Sequence, residues 1–265
     1  MTASLKQADI GFQANLYESK NPTRNWLHNV RRSWIIKRLD RFARGEPSFF
    51  EVGIGCCVYT EILAKRGQVF AVDINESFVA AANRIPSVEA SVSDICIESL
   101  PIAADVALCS EVLEHVPDSA SALKNIYSSL KPGGYLILTT PNSFSTVELV
   151  ARLLKFKPIV AFAKFVYGES VDDLGHINRM TRGQLEKQIL DAGFEIVEQD
   201  NIALYLPAIA EFSGNLGVRL AQFLAKKMAA STWMSHLLWT QCWVLKRPSI
   251  HIPDFLRKSS AYLRK

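Results

Sequence analysis

The chain has 265 residues, 49% of them hydrophobic, which is enough for a sizeable core and fits one domain with insertions better than two. Its net charge of +4 is uneven: eight basic residues stand against Asp40 alone between Lys20 and Gly45, six stand against Asp254 from Lys246 to Lys265, and the middle is net acidic. Five cysteines without a CxxC pair or a zinc-like histidine spacing, no apolar leader in MTASLKQADIGFQ, and no run of about 18 uncharged apolar residues argue against a zinc module, a secreted disulfide scaffold and a membrane span, and predict a cytoplasmic protein with reduced thiols.

Residues 1–22 are polar and read as an arm. From Asn25 on, Trp26, Val30, Trp34, Ile35, Leu39 and Phe42 recur at helical spacing with arginines on the other face, and Gly45 and Pro47 end the run. Such a basic face is usually solvated, although it can attract phosphate, nucleic acid or an anionic membrane. Strands and helices then alternate. Strands are predicted at Ser48–Ile54, Gln68–Ile74, Val88–Ser93, Asp105–Ser110 and Tyr135–Thr140, and helices at Tyr59–Arg66, Glu76–Arg84 and Ser119–Leu130. Gly67 and Pro86 close the first two of these helices, and Pro132 with Gly133 stops the third. This alternation predicts an α/β fold with a mainly parallel sheet.

After Pro141 the rhythm changes. Phe144–Tyr167 is apolar but interrupted by Arg152, Lys155, Lys157 and Lys164. Thr181 is placed to cap a helix to Ala192, with Gly193 as its stop, and Phe194–Gln199 reads as a strand. Leu204–Leu238 is a second apolar, helical insertion, and Trp239–Lys246 returns as a strand. The organisation expected is an arm and basic amphipathic helix over 1–47 that lids the pocket, a ligand-binding domain over 48–247 with helical insertions at 143–172 and 204–238, and a basic tail over 248–265.

The stretch Glu51-Val52-Gly53-Ile54-Gly55-Cys56-Cys57 carries the first chemistry. A strand, a glycine turn and a helix start let the backbone approach a ligand and offer unpaired N–H groups. Asp73, ending the second strand, can accept the two hydroxyls of an adenosine ribose, and Asp94 ends the third on the same sheet edge. A dinucleotide site would want G-x-G-x-x-G, and Glu51 would repel a pyrophosphate. A carboxylate there suits a cation, which favours S-adenosylmethionine, with its ammonium and sulfonium groups.

Taken together, Glu51-Val-Gly53-Ile-Gly55, Asp73, SDI at 93–95, ADVALCSEVLEHVPD at 104–118, LKPGGYLILTTPN at 130–142 and GHINRMTRGQLEKQILDAGFEIVE at 175–198 resemble a class I S-adenosylmethionine-dependent methyltransferase, of the broad group that includes the ubiquinone-biosynthesis O-methyltransferases. Cys57 departs from the pattern, standing where that family usually has a third glycine or another small residue. The resemblance implies a Rossmann-like fold with a seven-stranded, mostly parallel sheet, the strand at 239–246 being antiparallel. It implies S-adenosylmethionine as donor and S-adenosylhomocysteine as product. By the same resemblance Glu51 faces the methionine end, Gly53 and Gly55 line the backbone of the donor, and Asp73 holds the ribose. Ile74 packs on the adenine, Asp94 and Ile95 meet its edge, and Ser110 and Glu111 border the point of methyl transfer.

Methyl transfer needs donor and acceptor held in line and, for a hydroxyl acceptor, removal of a proton. His176 is the first candidate base and His115 the second, since histidine titrates near neutral pH. Ordinary loop or capping roles are the competing reading of both. His28 and Tyr17 belong to the segment that lids the pocket; His236 and His251 carry little weight. No second carboxylate cluster is visible, so no metal is expected. The SEVLEHV segment stands where a base-flipping enzyme would carry an Asn-Pro-Pro-Tyr-like motif, which argues against nucleic acid. The expected acceptor is a small, apolar or lipid-like molecule, methylated at a hydroxyl oxygen. The alternatives are nitrogen or carbon methylation, or binding of S-adenosylmethionine without turnover. The apolar, basic insertions also read as a peripheral membrane contact, against a lid packed on the domain or on a second subunit.

Overall fold

The computed structural model describes residue 17 and residues 21–146, 177–206, 213–231 and 233–249. Residues 1–16, most of the first insertion together with His176, the segment 207–212 and the tail from residue 250 lie outside the described residues.

Helix α1 (Pro22–Phe42) begins where Asn21 Oδ1 accepts the Thr23 N–H at 2.9 Å and proline takes the first turn, where its missing N–H costs nothing. Then come β1 (Ser48–Val52), α2 (Val58–Ala64), β2 (Gln68–Asp73), α3 (Glu76–Ala82), β3 (Val88–Val92) and β4 (Ala104–Ser110). They are followed by α4 (Ser119–Ser128), β5 (Leu130–Pro141), α5 (Arg182–Asp191), β6 (Glu195–Ile202), α6 (Gly214–Ala229), a 3-10 turn at Met234–Leu237 and β7 (Thr240–Lys246).

The seven strands form one sheet in the order β3-β2-β1-β4-β5-β7-β6, parallel except for β7, which runs antiparallel to both β5 and β6. This is the mainly parallel sheet that the alternating pattern predicts, in the seven-stranded Rossmann-like form, with an antiparallel β7, that the family resemblance implies. Two apolar layers hold it. Leu123, Ile126, Leu185 and Ile189 of α4 and α5 pack on one face with Phe50, Leu138 and Trp243. Trp34, Ile35 and Leu39 of α1, with Leu63 and Phe78 of α2 and α3, pack on the other with Phe49, Ile137 and Val244.

Two expectations are corrected. Strand β5 starts at Leu130, not Tyr135, although Pro132 and Gly133 read as a stop. Leu130 pairs with Ala104, a register shift passes the Pro-Gly-Gly segment, and Gly133 N–H and Gly134 C=O bond Arg247 at 2.8 Å each, so the ladder continues where proline has no N–H to offer. Nor are the α1 arginines all on a solvated face. Arg31 is 6% exposed, and Arg38 bridges Glu198 at 3.0 Å and Asp200 at 2.8 Å on β6. The buried stripe of the N-terminal half runs Leu27, Arg31, Trp34 and Ile35, one turn apart, because Arg31 finds a carboxylate beneath it.

Candidate functional site

Strand order reverses between β1 and β4, and the crevice at their carboxyl ends is where open α/β sheets bind ligands. The loop after β1 and the loop after β4 are pressed together there. Gly53 has φ +81°, and a Cβ on it would lie 2.3 Å from Val112 Cγ2. Only glycine fits, for a reason internal to the fold. Gly55 is also left-handed, at φ 53°, and so is Cys57, at φ 62°, directly before α2. The position of the departing cysteine thus has the backbone geometry of a glycine. Burial pushes the Cys57 thiol up to about 11, with the neighbouring Glu51 adding to it, so this cysteine is a packing group and not a reactive one.

Asp73 organises the loop. Its Oδ2 accepts Ile54 N–H at 2.8 Å and Gly55 N–H at 3.2 Å, and its Oδ1 accepts Asn75 N–H at 2.9 Å. Of the roughly four acceptor positions of a carboxylate, three are used by backbone. Ile74 beside it is 68% exposed, an aliphatic side chain held out at the sheet edge without a core to join. Asp94 Oδ1 accepts Cys96 N–H at 2.9 Å, whereas Ile95 is buried in the layer under α4. The structure therefore brings Gly53, Gly55, Asp73 and Ile74 to one edge, and turns the Ile95 side chain into the core.

Glu51 sits next to the carboxyl end of buried β1, 1% exposed. Burial pushes its carboxyl up to about 8; Asp73 adds to the rise, and Thr60 on α2 lies near enough to temper it. Even so, neither Glu51 Oε2 nor the Thr60 hydroxyl makes a well-formed hydrogen bond among the described residues. A buried carboxyl with an unsatisfied oxygen beside the glycine loop is the counterpart an ammonium group needs. In this respect the residues fit a cationic adenosyl ligand.

At the end of β4, Ser110 Oγ and Thr139 Oγ1 are 2.9 Å apart, and Thr139 donates to Glu111 Oε1 at 3.1 Å. Glu111, itself at φ 57°, takes Arg31 Nη1 of α1 on its other oxygen at 2.7 Å. Burial works against the Arg31 charge, but Glu111 and the phenols of Tyr59 and Tyr17 outweigh it and hold the guanidinium ionised. Around this pair, His28 lies 5.5 Å from the Tyr17 ring and 5.9 Å from the Trp239 ring, and the Tyr17 hydroxyl donates to Tyr59 at 3.4 Å. Arg31 also lies over Trp239, 5.9 Å from its centroid.

Glu114 is buried next to this cluster. Burial first, and the Glu111 charge second, hold it protonated well above the usual carboxylate range. Its Oε2 accepts Thr140 Oγ1 at 3.0 Å, and its Oε1 stands 4.0 Å from Nε2 of the half-exposed His115. His176 lies outside the described residues, but the next two residues are placed: the N–H groups of Ile177 and Asn178 donate to the Glu114 carbonyl at 2.9 and 3.0 Å. Farther along the same edge, past β5, Phe144, Thr181, Arg182, Gly183, Trp233, His236 and Leu237 line a cavity of about 410 Å³. Sequence reasoning missed Arg31 and Glu114 and gave His236 little weight. Arg31 looked like one of many helix arginines, Glu114 lies in the quoted SEVLEHV segment without a signal of burial, and His236 lies in an insertion. Among the described residues no three His, Cys, Asp or Glu side chains are placed to share a metal ion.

A family model described as a methyltransferase domain matches residues 25–199. The ubiquinone biosynthesis O-methyltransferase of Psychrobacter cryohalolentis is 30% identical over 219 residues, 74% of this chain and 78% of that one. The protein of the same name from Pseudomonas fluorescens is 31% identical over 128 residues, 44% of this chain and about half (53%) of its own length. Among solved structures, the N-methyltransferase NodS from Bradyrhizobium japonicum, in complex with S-adenosyl-L-homocysteine, superposes with a TM-score of 0.50 at 14% identity, covering 87% of this chain and 90% of that one. A SAM-dependent methyltransferase from Archaeoglobus fulgidus gives 0.52 at 17% identity, covering 81% and 94%. At these identities the solved structures speak for the fold alone.

Proposed function

This chain belongs to the class I S-adenosylmethionine-dependent methyltransferase family, and from that premise we propose that it methylates a hydroxyl oxygen of a small, apolar or lipid-like acceptor. When bound, S-adenosylmethionine supplies an electrophilic methyl group on a sulfonium. The assignment of residues to it is part of the proposal. Glu51 takes the ammonium, Gly53 and Gly55 let the loop approach, and Asp73 holds the loop and offers its remaining acceptor position to the ribose. Ile74 covers the adenine, with Asp94 and the Ile95 backbone (its side chain being in the core) at its edge, and Ser110 and Glu111 border the transfer point. Arg31, paired with Glu111, fastens α1 over that point and excludes water.

The observation that carries the acceptor reading is the cavity beyond β5. Among the described residues its walls are the aromatic and aliphatic side chains Phe144, Trp233 and Leu237, with Thr181, Arg182 and His236 as polar side chains. Apolar walls with a few polar groups suit an amphipathic molecule, and a phenol-like hydroxyl on an apolar body is such a molecule. Support for oxygen comes from the Psychrobacter relative, whose name places it in ubiquinone biosynthesis as an O-methyltransferase. For the acceptor proton, His176 is the proposed base, with His115 beside Glu114 as the alternative. A lipid-like acceptor would be met at a membrane surface from the cytoplasmic side; among the described residues no helix is long and apolar enough to cross one.

The test is transfer of a labelled methyl group to a panel of alkylated phenols and catechols, their amine analogues and short-chain versions. O-methyl products that form faster as the alkyl chain lengthens, and that fade in His176→Ala, support the reading. Label only on the amines, or no gain from the alkyl chain, would remove the hydroxyl or the lipid part of it respectively.

A further inference from the structure

Helix α6 leaves part of its apolar surface outside. Its buried residues are Gly217, Ala221, Ala225 and Met228; Ala225 and Met228, with the part-buried Leu224, pack with Leu204, Leu238 and Trp26 of α1. Three of its bulky residues point away. Leu216 is 75% exposed, Phe223 59% and Leu220 42%. At 100° per residue, Leu216, Leu220, Phe223 and Lys227 fall in one stripe about 60° wide, with Arg219 and Lys226 along one side of it. A helix normally turns its large apolar side chains to the core, so this stripe wants another partner. Just past the helix end, Trp233 is 77% exposed and Met234 39%.

Charge identifies the partner. From Ser213 to Gln241 the chain has Arg219, Lys226 and Lys227 and not one acidic residue. A second copy of this chain docked through the stripe would set Arg219, Lys226 and Lys227 near their own like charges, which costs free energy. An anionic bilayer answers both features. Leucine and phenylalanine enter the headgroup and acyl boundary, lysine and arginine stems lie along the apolar surface with their charges at the phosphates, and tryptophan is the side chain enriched at that interface. The segment 149–168 has the same composition in the sequence, apolar with Arg152, Lys155, Lys157 and Lys164 and no acid.

We propose that the exposed Leu216–Leu220–Phe223 stripe of α6, with its flanking Arg219, Lys226 and Lys227, is the face by which this protein docks on an anionic lipid surface. The proposal extends the lipid-acceptor reading but does not need it. Docking is measured without any acceptor, so the failure of either leaves the other standing.

Flotation of the full chain with phosphatidylcholine vesicles, with and without 30% phosphatidylglycerol (about one lipid in three, for a strong surface charge), tests it. The wild type should float with the anionic vesicles and not with phosphatidylcholine alone, and added salt should weaken the binding. The Leu220→Ser/Phe223→Ser variant should partition about tenfold less or worse. Lys226→Gln/Lys227→Gln should bind less and with a flatter salt dependence. Both variants should keep the wild-type melting temperature and affinity for S-adenosylmethionine, since the changed side chains touch neither core nor site. A wild type that stays down with anionic vesicles overturns the proposal. So do variants that float as the wild type does. So does a wild-type dimer in sedimentation that Leu220→Ser/Phe223→Ser turns into monomers, which would assign the stripe to a second copy.

Discussion

Glu51→Gln separates what this carboxyl costs the fold from what it does for the ligand. The folded protein holds Glu51 at about 8, against 4.5 for the free side chain, chiefly through burial. The sign follows from proton counting. Above pH 4.5 the unfolded chain gives up a proton that the folded one keeps, so stability falls as pH rises, and it stops falling near pH 8 where the folded carboxyl ionises as well. At 1.36 kcal/mol per pH unit the loss accumulated by pH 7 is at most about 3 kcal/mol. Glutamine has no proton to lose. Urea unfolding of the two proteins at pH 4.5 and pH 7 should therefore show the variant level with the wild type, or about 1 kcal/mol below it for an unpaired amide N–H, at the acid end. It should then gain about 2–3 kcal/mol relative to the wild type by pH 7. The same substitution removes the negative partner of the ammonium group. Calorimetry should find S-adenosylmethionine binding weakened about tenfold or more, the value of a charge-assisted hydrogen bond, together with loss of the proton that the wild type releases on binding. Parallel pH profiles of stability, or unchanged affinity in the variant, would refute the reasoning, because Glu51 would then be satisfied inside the protein.

Three other outcomes are expected. Arg31→Ala leaves Glu111 part-buried beside Glu114 without its cation, and should cost about 3 kcal/mol in chemical unfolding; adding Glu111→Gln should return part of it in a double-mutant cycle. Gly53→Ala meets both the Val112 methyl at 2.3 Å and a φ of +81°; the loss should reach about 3 kcal/mol, and Val112→Ala in the same chain should recover the steric part but not the backbone part. Asp73→Ala orphans the N–H groups of Ile54, Gly55 and Asn75, so hydrogen exchange at those amides should speed up while affinity for S-adenosylmethionine drops by roughly 1–3 kcal/mol. Unchanged exchange would mean that the loop holds its shape without the carboxylate.

Much of the fold was legible along the chain because it is set by local chemistry. Apolar runs of strand length, separated by helical periods and punctuated by glycine and proline, place the strands and their order in the chain. Thr181 reads as a helix start, and the structure adds Gln184, three residues later, in a reciprocal capping box with it. The glycine loop, Asp73 and Asp94 could be named as candidates because open α/β sheets bind ligands at the carboxyl ends of their strands, and the end of β4 because of the family resemblance. What the chain order hides is long-range pairing and burial. Arg31 and Glu111 are 80 positions apart, and only the sheet brings them to 2.7 Å, so an arginine that looked solvated is buried. Pro132-Gly133 looked like a break because its ladder partner, Arg247, comes from the other end of the chain. Gly53 is glycine because of Val112, a contact across two strands. In α6 the leucines and the phenylalanine would have been assigned to a core by type alone. Only packing shows that Ala225, Met228 and Leu224 took the inside, against Leu204, Leu238 and Trp26 of α1, and that Leu216, Leu220 and Phe223 were left for the surface. Periodicity tells a sequence which residues share a face; which face turns inward is decided by the shape of the neighbour it meets.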